Sequence, residues 1–350
     1  MNYRDISRKR RVRQAGSGPV EPFYISLGSG GLEIREKKAR SSMERCSLCP
    51  RRCGVNRLGG ERGFCMQGGA AKVAKALPHF GEEPPLSGTK GAGTVFFSGC
   101  TLRCVFCQNW QISRNDLGET TDADGLADIF LDLQSKGCHN VELVSPTPHI
   151  ASIVTALRIA GGKGLSLPIV YNTNGYLSAE SLSLLDGLVD IYLPDIKYSS
   201  PDIAEELSGS RDYVDENRRS LVEMARQCGS LLVTDADGIA VRGVLIRLLL
   251  LPERLEGALE SLSFIAAELG SDIPVSIMSQ YTPLYRAREH RALNSEVPPA
   301  RRRQVMEYAV GSGISEIWDQ QDGAAGLFIP DFLQENPFGG MNRESPPTKR

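Results

Sequence analysis

Three cysteines stand close together in one short segment, Cys100-Thr-Leu-Arg-Cys104-Val-Phe-Cys107. Three thiolates on one loop can each bind an iron of a four-iron cluster, and no fourth cysteine follows at the spacing typical of ferredoxins. One iron of such a cluster keeps an open position, which serves catalysis and which an electron carrier does not need. The spacing therefore predicts a catalytic iron–sulfur cluster, with the aromatic face of Phe106 beside it.

Two alternatives to a cluster stay open for these cysteines. They could be ordinary buried thiols, or they could bind zinc together with a fourth ligand. Residues of the right type for that ligand are His79, His139 and His149. The cluster is favoured because a short apolar segment precedes the cysteines and an alternation of strand and helix patterns follows them.

Four further cysteines form a second constellation, with the spacing Cys46-x2-Cys49-x3-Cys53-x11-Cys65. Four thiolates complete either a tetrahedral zinc site or an iron–sulfur cluster. The sequence thus predicts a second metal site and leaves the metal open, since a cluster would relay electrons and zinc would hold together a segment with little core. Arginines that would offset the thiolate charge lie in the same segment, namely Arg51, Arg52, Arg57 and Arg62.

The composition of the chain excludes several classes of protein. Nine cysteines in 350 residues are too few for a disulfide scaffold, and an odd number cannot pair completely. The two cysteines outside both constellations, Cys138 and Cys228, fall in or beside helical patterns and are predicted to be core residues. Since 40 basic and 42 acidic residues leave a net charge of −2, no general attraction to nucleic acid results.

Nothing in the sequence has the pattern of a membrane span or a secretion signal. The longest apolar run, 244–251, is too short to cross a bilayer, and no apolar stretch follows the basic residues near the N-terminus. We therefore predict a cytoplasmic protein with no membrane partner and no nucleic-acid partner. In that compartment the cysteines stay reduced and available as metal ligands.

From about residue 94 the sequence alternates between short apolar strand patterns and amphipathic helix patterns. This alternation predicts parallel strands joined by right-handed crossovers. The predicted strands cover 94–98, 141–144, 168–171, 189–193, 243–250, 273–278 and 314–318. The predicted helices cover 121–135, 149–160, 178–187, 213–228, 253–269 and 298–310, the first with Thr121 and Asp124 in a capping-box pattern.

Polar or turn-forming residues follow nearly every predicted strand. A ring of polar strand ends favours a barrel mouth over the single crevice of a doubly wound sheet. The predicted fold is therefore α/β, a partial TIM-type (β/α)6 barrel with a small Cys-rich, metal-binding N-terminal lobe. The predicted domains are a disordered basic leader at 1–25, the Cys-rich lobe at 26–93, the barrel at 94–325 and a disordered tail at 326–350.

The segment from Cys100 to Cys107 resembles the signature of the radical S-adenosylmethionine (SAM) superfamily, Cys-x3-Cys-x2-Cys with an aromatic residue before the last cysteine. The resemblance implies a [4Fe-4S] cluster whose open iron chelates SAM. It further implies that the reduced cluster cleaves SAM to methionine and a 5′-deoxyadenosyl radical, which abstracts hydrogen from a substrate. The protein would bind, orient and shield these groups.

Further stretches are similar to the pyruvate formate-lyase activating enzyme-like proteins, in the branch called PflX. They are 46–53, 97–109, 172–176, 190–198 and 278–283. This resemblance implies an activase whose partner is a glycyl-radical enzyme, with an electron donor such as flavodoxin or ferredoxin. The alternatives are a radical SAM enzyme that acts on RNA or a small molecule, and a non-catalytic iron–sulfur carrier or sensor.

The resemblance also implies roles for individual residues. Asp195 and Lys197 match an Asp-x-Lys pair whose lysine helps to hold SAM, and Arg247 matches an arginine that faces the SAM carboxylate or the substrate. Thr147 stands where many superfamily members have a Gly-Gly-Glu contact to the SAM amino group. The complete predicted cofactor-binding set is Phe106, Thr147, Asn172, Asn174, Asp195, Lys197, Arg247 and Gln280.

Overall fold

The computed structural model describes residues 3–5, 13–14, 20–320 and 329–339. Its helices are α1 (Phe23–Ser41), α2 (Pro84–Ser87), α3 (Trp110–Ser113), α4 (Ala123–Ser135), α5 (Ile150–Gly162), α6 (Ala179–Leu185), α7 (Pro201–Ser208), α8 (Tyr213–Cys228), α9 (Leu255–Phe264) and α10 (Pro299–Gly311). Its strands are β1 (Tyr3–Asp5), β2 (Arg13–Gln14), β3 (Ala71–His79), β4 (Ala92–Phe97), β5 (Glu119–Thr121), β6 (Val141–Val144), β7 (Ile169–Thr173), β8 (Ile191–Ile196), β9 (Val233–Thr234), β10 (Ala240–Val244), β11 (Ile246–Leu249), β12 (Val275–Met278) and β13 (Ile317–Gln320).

Parallel strands form the centre of one open sheet. They follow one another in chain order, β4-β6-β7-β8-β11-β12-β13, and each pair is parallel. Antiparallel β3 and β5 extend the sheet beyond β4, and antiparallel β1 extends it beyond β13. A strand order without reversal brings all the carboxyl ends to one mouth, as a partial barrel requires. The α/β class is confirmed, and the seven parallel strands of the described sheet correspond to the seven strands that the sequence predicts.

The helices form because each has an apolar face and most have a local start signal. In α4 the residues Leu126, Ala127, Phe130 and Leu133 are buried on one face. Asp122 caps this helix, since its side chain accepts a hydrogen bond from the Gly125 amide. The predicted start at Thr121 is wrong by one residue, because Thr121 ends strand β5 and the carboxylate beside it is an equally good cap.

Strands on the two sides of the predicted border at residue 93 pair with each other. Helix α1 lies on the barrel, where Tyr24 donates a hydrogen bond to the Leu165 carbonyl (2.9 Å) and the Phe23 amide donates to Asp190 (2.8 Å). Strand β3 pairs along its length with β4, so residues 71–79 belong to the main sheet. Lysines interrupt the apolar pattern of β3, and for this reason its sequence did not indicate a strand.

The two predicted disordered ends are also partly structured. Residues 3–5 pair with β13 through backbone hydrogen bonds, which require no apolar sequence pattern. Residues 329–339 pack on the barrel through Phe332 and Phe338, whose rings lie 5.3 and 5.6 Å from that of Phe96. The other residues of both predicted segments lie outside the described residues, apart from 13–14 in β2 and 20–25 at the start of α1.

Two predictions on single features can be compared directly with the fold. Cys138 and Cys228 are buried, so their assignment to the core is confirmed. Among the described helices, none combines the length and the apolar character that crossing a bilayer demands.

Candidate active site

A cavity of about 230 Å³ opens at the carboxyl ends of the parallel strands. All three cysteines of the 100–107 loop line it, as do residues from the ends of six successive strands of the sheet. The strand residues include Phe96, Val144, Asn172, Asp195, Arg247 and Met278. The order of the sheet therefore brings distant polar strand ends to one place, as predicted for a barrel mouth.

Each of the three cysteine sulfurs has a polar neighbour. The Asn174 amide donates to the Cys100 sulfur (3.5 Å), and the Ser208 hydroxyl donates to the Cys104 sulfur (3.0 Å). The Cys107 sulfur shares a hydrogen bond of 3.2 Å with the Ser113 hydroxyl. Hydrogen bonds of this kind orient metal-ligating sulfurs and stabilise negative charge on them.

The electrostatic setting of these thiols suits metal ligation. Burial, followed by the neighbouring Cys100 and Cys104, raises the pKa of Cys107 to about 12. Burial also raises the pKa of Cys104, and the positive charge of Lys197 opposes that rise. Buried thiols with raised pKa values are poor nucleophiles, so their thiolate form depends on a bound cation. Two such thiols, together with the Cys100 thiol on the same cavity, fit a metal cluster better than separate reactive cysteines.

Lys197 brings a positive charge to the cavity wall. Its ammonium lies 2.6 Å from the Asp195 carboxylate, and both side chains are largely buried. Burial alone would lower the pKa of Lys197, but Asp195 and Cys104 outweigh this effect and hold that pKa above its usual value. The lysine therefore stays charged beside the three cysteines.

Other predicted residues also line the cavity. Phe106 packs edge-on against Tyr198 and Tyr281, each with ring centres 6.1 Å apart, and these rings exclude water beside the cysteines. Gln280 presents a buried side-chain oxygen for which the described residues supply no hydrogen-bond partner. A cavity that contains an unsatisfied acceptor has room for a polar ligand.

Thr147 does not line the cavity, so its role in place of Gly-Gly-Glu stays a prediction without support from this geometry. It is buried behind β6, where its hydroxyl accepts a hydrogen bond from Tyr171 (3.1 Å). Ser145 lines the cavity in its place, and its left-handed backbone (φ 58°) turns the chain there. The sequence did not reveal this turn because serine is rarely found in that conformation.

Arg247 faces the interior as predicted, but carboxylates of the protein already hold its guanidinium. It donates to both oxygens of Glu83 (3.0 and 2.5 Å) and also to Glu82. All three side chains are buried. A ligand carboxylate at this guanidinium would have to displace these glutamates, so the predicted contact of Arg247 with the SAM carboxylate is not the arrangement observed.

Several site residues were missed from the sequence. Glu142 is fully buried inside β6, where Asn172 donates to it (2.6 Å) and Thr94 donates at 3.3 Å. A charged residue within a short apolar strand was the available signal, the same one that marked Arg247. The other missed residues around the cavity are Glu82, Glu83, Ser208 and Phe338, and His79, considered above only as a zinc ligand, lines the cavity as well.

The four cysteines of the second constellation lie near one another in the loops after α1. Burial raises the pKa of Cys49 to about 12, and Cys65, Cys46 and Cys53 raise it further by their charge. Arg57 opposes the rise in the pKa of Cys65 that burial causes. The four side chains are therefore within electrostatic reach of one another, although none of them lines the cavity.

Arginines connect this second constellation to the cysteine loop of the cavity. Arg51 donates to the Thr101 carbonyl (3.0 Å), and both Arg51 and Arg103 lie over the ring of Phe64, at 3.9 and 4.7 Å. Arg103 also experiences the charges of Cys65 and Cys100 together. The two groups of cysteines are thus neighbours across a layer of arginine and aromatic side chains.

In the described part of the chain, no three His, Cys, Asp or Glu side chains are arranged as ligands of one metal ion. This finding bears on a compact zinc site, whose four ligands surround one atom. Of the histidines considered for zinc, His149 stacks on Phe97 and donates to the Ser98 carbonyl (2.8 Å). The donor set that lines the cavity consists of three thiols, the ligand type of a multi-iron cluster.

Comparison with known proteins identifies the family. A model of the radical SAM superfamily matches residues 94–260. An uncharacterized protein of Methanocaldococcus jannaschii, MJ0674, is 32% identical over 298 residues, which cover 82% of this chain and 81% of that protein. A second protein of that organism, MJ0808, is 25% identical over 282 residues, covering 75% and 76%.

Solved structures of Streptococcus suis SuiB are also similar. SuiB bound to the precursor peptide SuiA has a TM-score of 0.41 and 14% identity, over 60% of this chain and 43% of that one. SuiB bound to S-adenosylmethionine has a TM-score of 0.40 and 14% identity, over 60% and 44%. This chain therefore spans less than half the length of those structures. The family model includes the cysteine loop and most of the strands around the cavity, and the chain belongs to the radical SAM superfamily.

Proposed function

We propose that this protein is a radical SAM enzyme that abstracts hydrogen from a substrate held in the cavity at the barrel mouth. Membership of the superfamily implies a [4Fe-4S] cluster and SAM. When bound, the cluster supplies one electron to SAM, whose cleavage gives methionine and a 5′-deoxyadenosyl radical. The observation that carries the proposal is the convergence of Cys100, Cys104 and Cys107 on one wall of a cavity with room for a polar ligand.

The residues of this chain then have distinct tasks. Ser208 and Asn174 orient the sulfurs of Cys104 and Cys100 through the hydrogen bonds described above. Lys197, kept charged by Asp195, offers a donor to an anionic group in the cavity. Phe106 and the two tyrosines around it keep water from the cysteines, which protects a reactive radical from side reactions.

The test is the formation of 5′-deoxyadenosine from SAM. The protein is reconstituted anaerobically with iron and sulfide, reduced with dithionite and incubated with SAM. We expect 5′-deoxyadenosine and methionine in equal amounts. A protein that carries four irons at the cavity and yields neither product would overturn the proposal.

For the substrate, the first candidate is a glycyl-radical enzyme, with flavodoxin or ferredoxin as electron donor. The similarity of five stretches to activating enzyme-like proteins supports this candidate. We predict a glycyl radical signal in electron paramagnetic resonance when the reduced enzyme, SAM and the correct partner are combined. Omission of SAM is the control. The activase role would be contradicted if SAM is cleaved and none of the tested partners shows a glycyl radical signal.

A small molecule is the second candidate substrate, and one observation favours it. Beyond the cysteines the cavity continues to a floor at His79, Glu82 and Arg247, deep inside the sheet. A small polar molecule can reach such a floor more readily than a folded protein surface can. Turnover of a small substrate without any protein partner would favour this candidate over the activase.

We further propose that Cys46, Cys49, Cys53 and Cys65 hold a second metal centre. The prediction is that Cys46→Ala lowers the metal content of the purified protein, because a centre with four ligands loses most of its affinity with one of them. Iron and zinc are counted by mass spectrometry. Loss of iron would identify an auxiliary cluster, loss of zinc would identify a structural ion, and unchanged counts of both would refute the second centre. Cys138→Ala is the matched control, since that cysteine belongs to the core.

A further inference from the structure

The floor of the cavity is a buried cluster of charged groups that no step of SAM cleavage uses. Arg247 lies between Glu82 and Glu83, and Glu142 lies beside them within β6. His79 stands 3.7 Å from the nearer Glu82 oxygen. His79, Glu82 and Arg247 line the cavity, whereas Glu83 and Glu142 are completely buried behind it.

The charges of this cluster do not cancel. Burial would raise the pKa of Glu82, but Arg247 and His79 overcome that effect and hold it below its usual value. Burial and the charge of Glu82 raise the pKa of Glu142 well above its usual value, which favours its protonated form. Burial lowers the pKa of His79, which is therefore neutral as well. Among the described residues, one arginine thus faces the two carboxylates of Glu82 and Glu83, which leaves one negative charge in excess there. An uncompensated charge inside a protein is costly.

A second and independent feature also indicates a ligand. Ser276 is completely buried, and its hydroxyl has no hydrogen-bond partner among the described residues. Ser276 pairs in register with Arg247 on the neighbouring strand, and Met278, two residues further, lines the cavity. Because side chains two residues apart point to the same face of a strand, the Ser276 hydroxyl is directed into the same interior. Buried hydroxyl groups are normally hydrogen-bonded, so this one leaves a place for a ligand atom.

We propose that the floor formed by His79, Glu82 and Arg247, with the buried Ser276 hydroxyl beside it, binds the ammonium group of the substrate. This proposal rests on the proposed function with a small molecule as the substrate, since it names the chemical class of the molecule from which hydrogen is abstracted. An ammonium supplies the missing positive charge and three hydrogen-bond donors. The acceptors on the cavity wall are the Glu82 carboxylate and the unpartnered oxygen of Gln280, and the Ser276 hydroxyl lies buried beside Arg247 on the next strand.

Two other occupants of the floor fit less well. A metal ion needs several converging ligands, and the described carboxylates and histidines do not converge in that way. An anionic group would meet the excess negative charge, since Glu82 and Glu83 already occupy the guanidinium of Arg247. An ammonium is the occupant that both the charge and the free acceptor favour.

The test measures binding of n-butylamine to the cluster-loaded protein with SAM and without reductant. Calorimetric titrations with n-butanol and butyrate, which have the same chain length, serve as comparisons. We expect the amine to bind saturably. The affinities of the alcohol and the acid should be at least roughly tenfold lower, because a hydrogen bond to a charged group is stronger than a neutral one by this order. Equal binding of amine and alcohol, or no saturable binding of the amine, would overturn the proposal.

Variants of the floor residues test whether the amine binds at the floor. Glu82→Gln should weaken amine binding on the order of ten- to a hundredfold, and Ser276→Ala should weaken it roughly tenfold. Ser276→Ala leaves no protein group unpaired, so the melting temperature of this variant should stay unchanged. If Glu82→Gln does not fold, Ser276→Ala alone provides the test. Glu33→Gln removes the same charge from an exposed helix position and should leave binding unchanged. If both floor variants bind the amine like the parent, the proposal is wrong.

The same preparations separate this proposal from the proposed function. Formation of 5′-deoxyadenosine is measured on each variant without amine. Intact SAM cleavage with no selectivity for the amine refutes only the substrate class. Selective amine binding with no SAM cleavage by cluster-loaded protein refutes the radical chemistry but still supports the ammonium site.

Discussion

Replacement of Cys104 by alanine is expected to abolish formation of 5′-deoxyadenosine. Cys104 is the most deeply buried of the three cavity cysteines, and the Ser208 hydroxyl fixes its sulfur at 3.0 Å. No other described cysteine lines the cavity beside this loop, so none is placed to replace the lost ligand. Loss of a direct ligand should reduce activity by on the order of a hundredfold or more, because even its supporting hydrogen bonds are worth tenfold to a hundredfold.

The measurement combines product analysis with iron and sulfide counts on the reconstituted variant. We expect product and the iron of the first cluster to be lost together, while the metal of the second centre stays. Cys138→Ala is the control for removal of a buried thiol, since that side chain lies in the core away from the cavity. A Cys104→Ala protein that cleaves SAM at the parental rate would disprove the assignment of this loop.

The sequence allowed the cysteine loop to be predicted because its chemistry is local. Cys100, Cys104 and Cys107 lie within eight residues, so their spacing alone limits what they can bind. The strand ends at Asn172 and Asp195 were predictable for a related reason, since strands in a parallel sheet must bring their carboxyl ends together. Both predictions depend on local patterns and on a general rule of topology.

The floor of the cavity could not be predicted in the same way. The contacts between Arg247 and the two glutamates join residues 164 and 165 positions apart in the chain. The sequence showed that an arginine in an apolar strand needs a partner, but a ligand carboxylate and a protein carboxylate satisfy that need equally well. Glu82 and Glu83 precede two prolines in a segment that the sequence predicts as a separate lobe, so their insertion into the barrel depends on how β3 pairs with β4.

The position of Thr147 away from the cavity could not be predicted, for a different physical reason. The sequence located the end of β6 correctly, but it did not show which side chain turns inward after the strand. A left-handed Ser145 changes the direction of the chain by a single residue and directs Thr147 toward Tyr171. Local backbone conformations of this kind are rare for residues other than glycine, and composition does not reveal them.

Replacement of Arg247 by methionine is expected to have the largest effect on stability. The substitution keeps an apolar stem of similar length but leaves Glu82 and Glu83 without their cation in a buried setting. Breaking a buried ion pair by removing one partner costs about 3–5 kcal/mol of unfolding free energy. Urea unfolding at pH 7.5 measures this loss. Arg254→Met is the matched control, because Arg254 pairs with Glu206 at 3.5 Å on a half-exposed surface, where such pairs contribute about 0–1 kcal/mol.

The pH dependence separates an electrostatic loss from a packing defect. In the parent, Arg247 holds the pKa of Glu82 below its usual value, so this carboxylate contributes stability that is lost as the pH falls through the acid range. In the variant, burial without the guanidinium raises the pKa of Glu82, and protonation then stabilises the folded state as the pH falls. The deficit between variant and parent should therefore shrink between pH 7.5 and pH 5, and adding Glu82→Gln to Arg247→Met should recover part of it. A deficit that stays constant across this range, with no recovery in the double variant, would show that Arg247 stabilises the barrel by packing and that the floor carries no excess charge for an ammonium to neutralise.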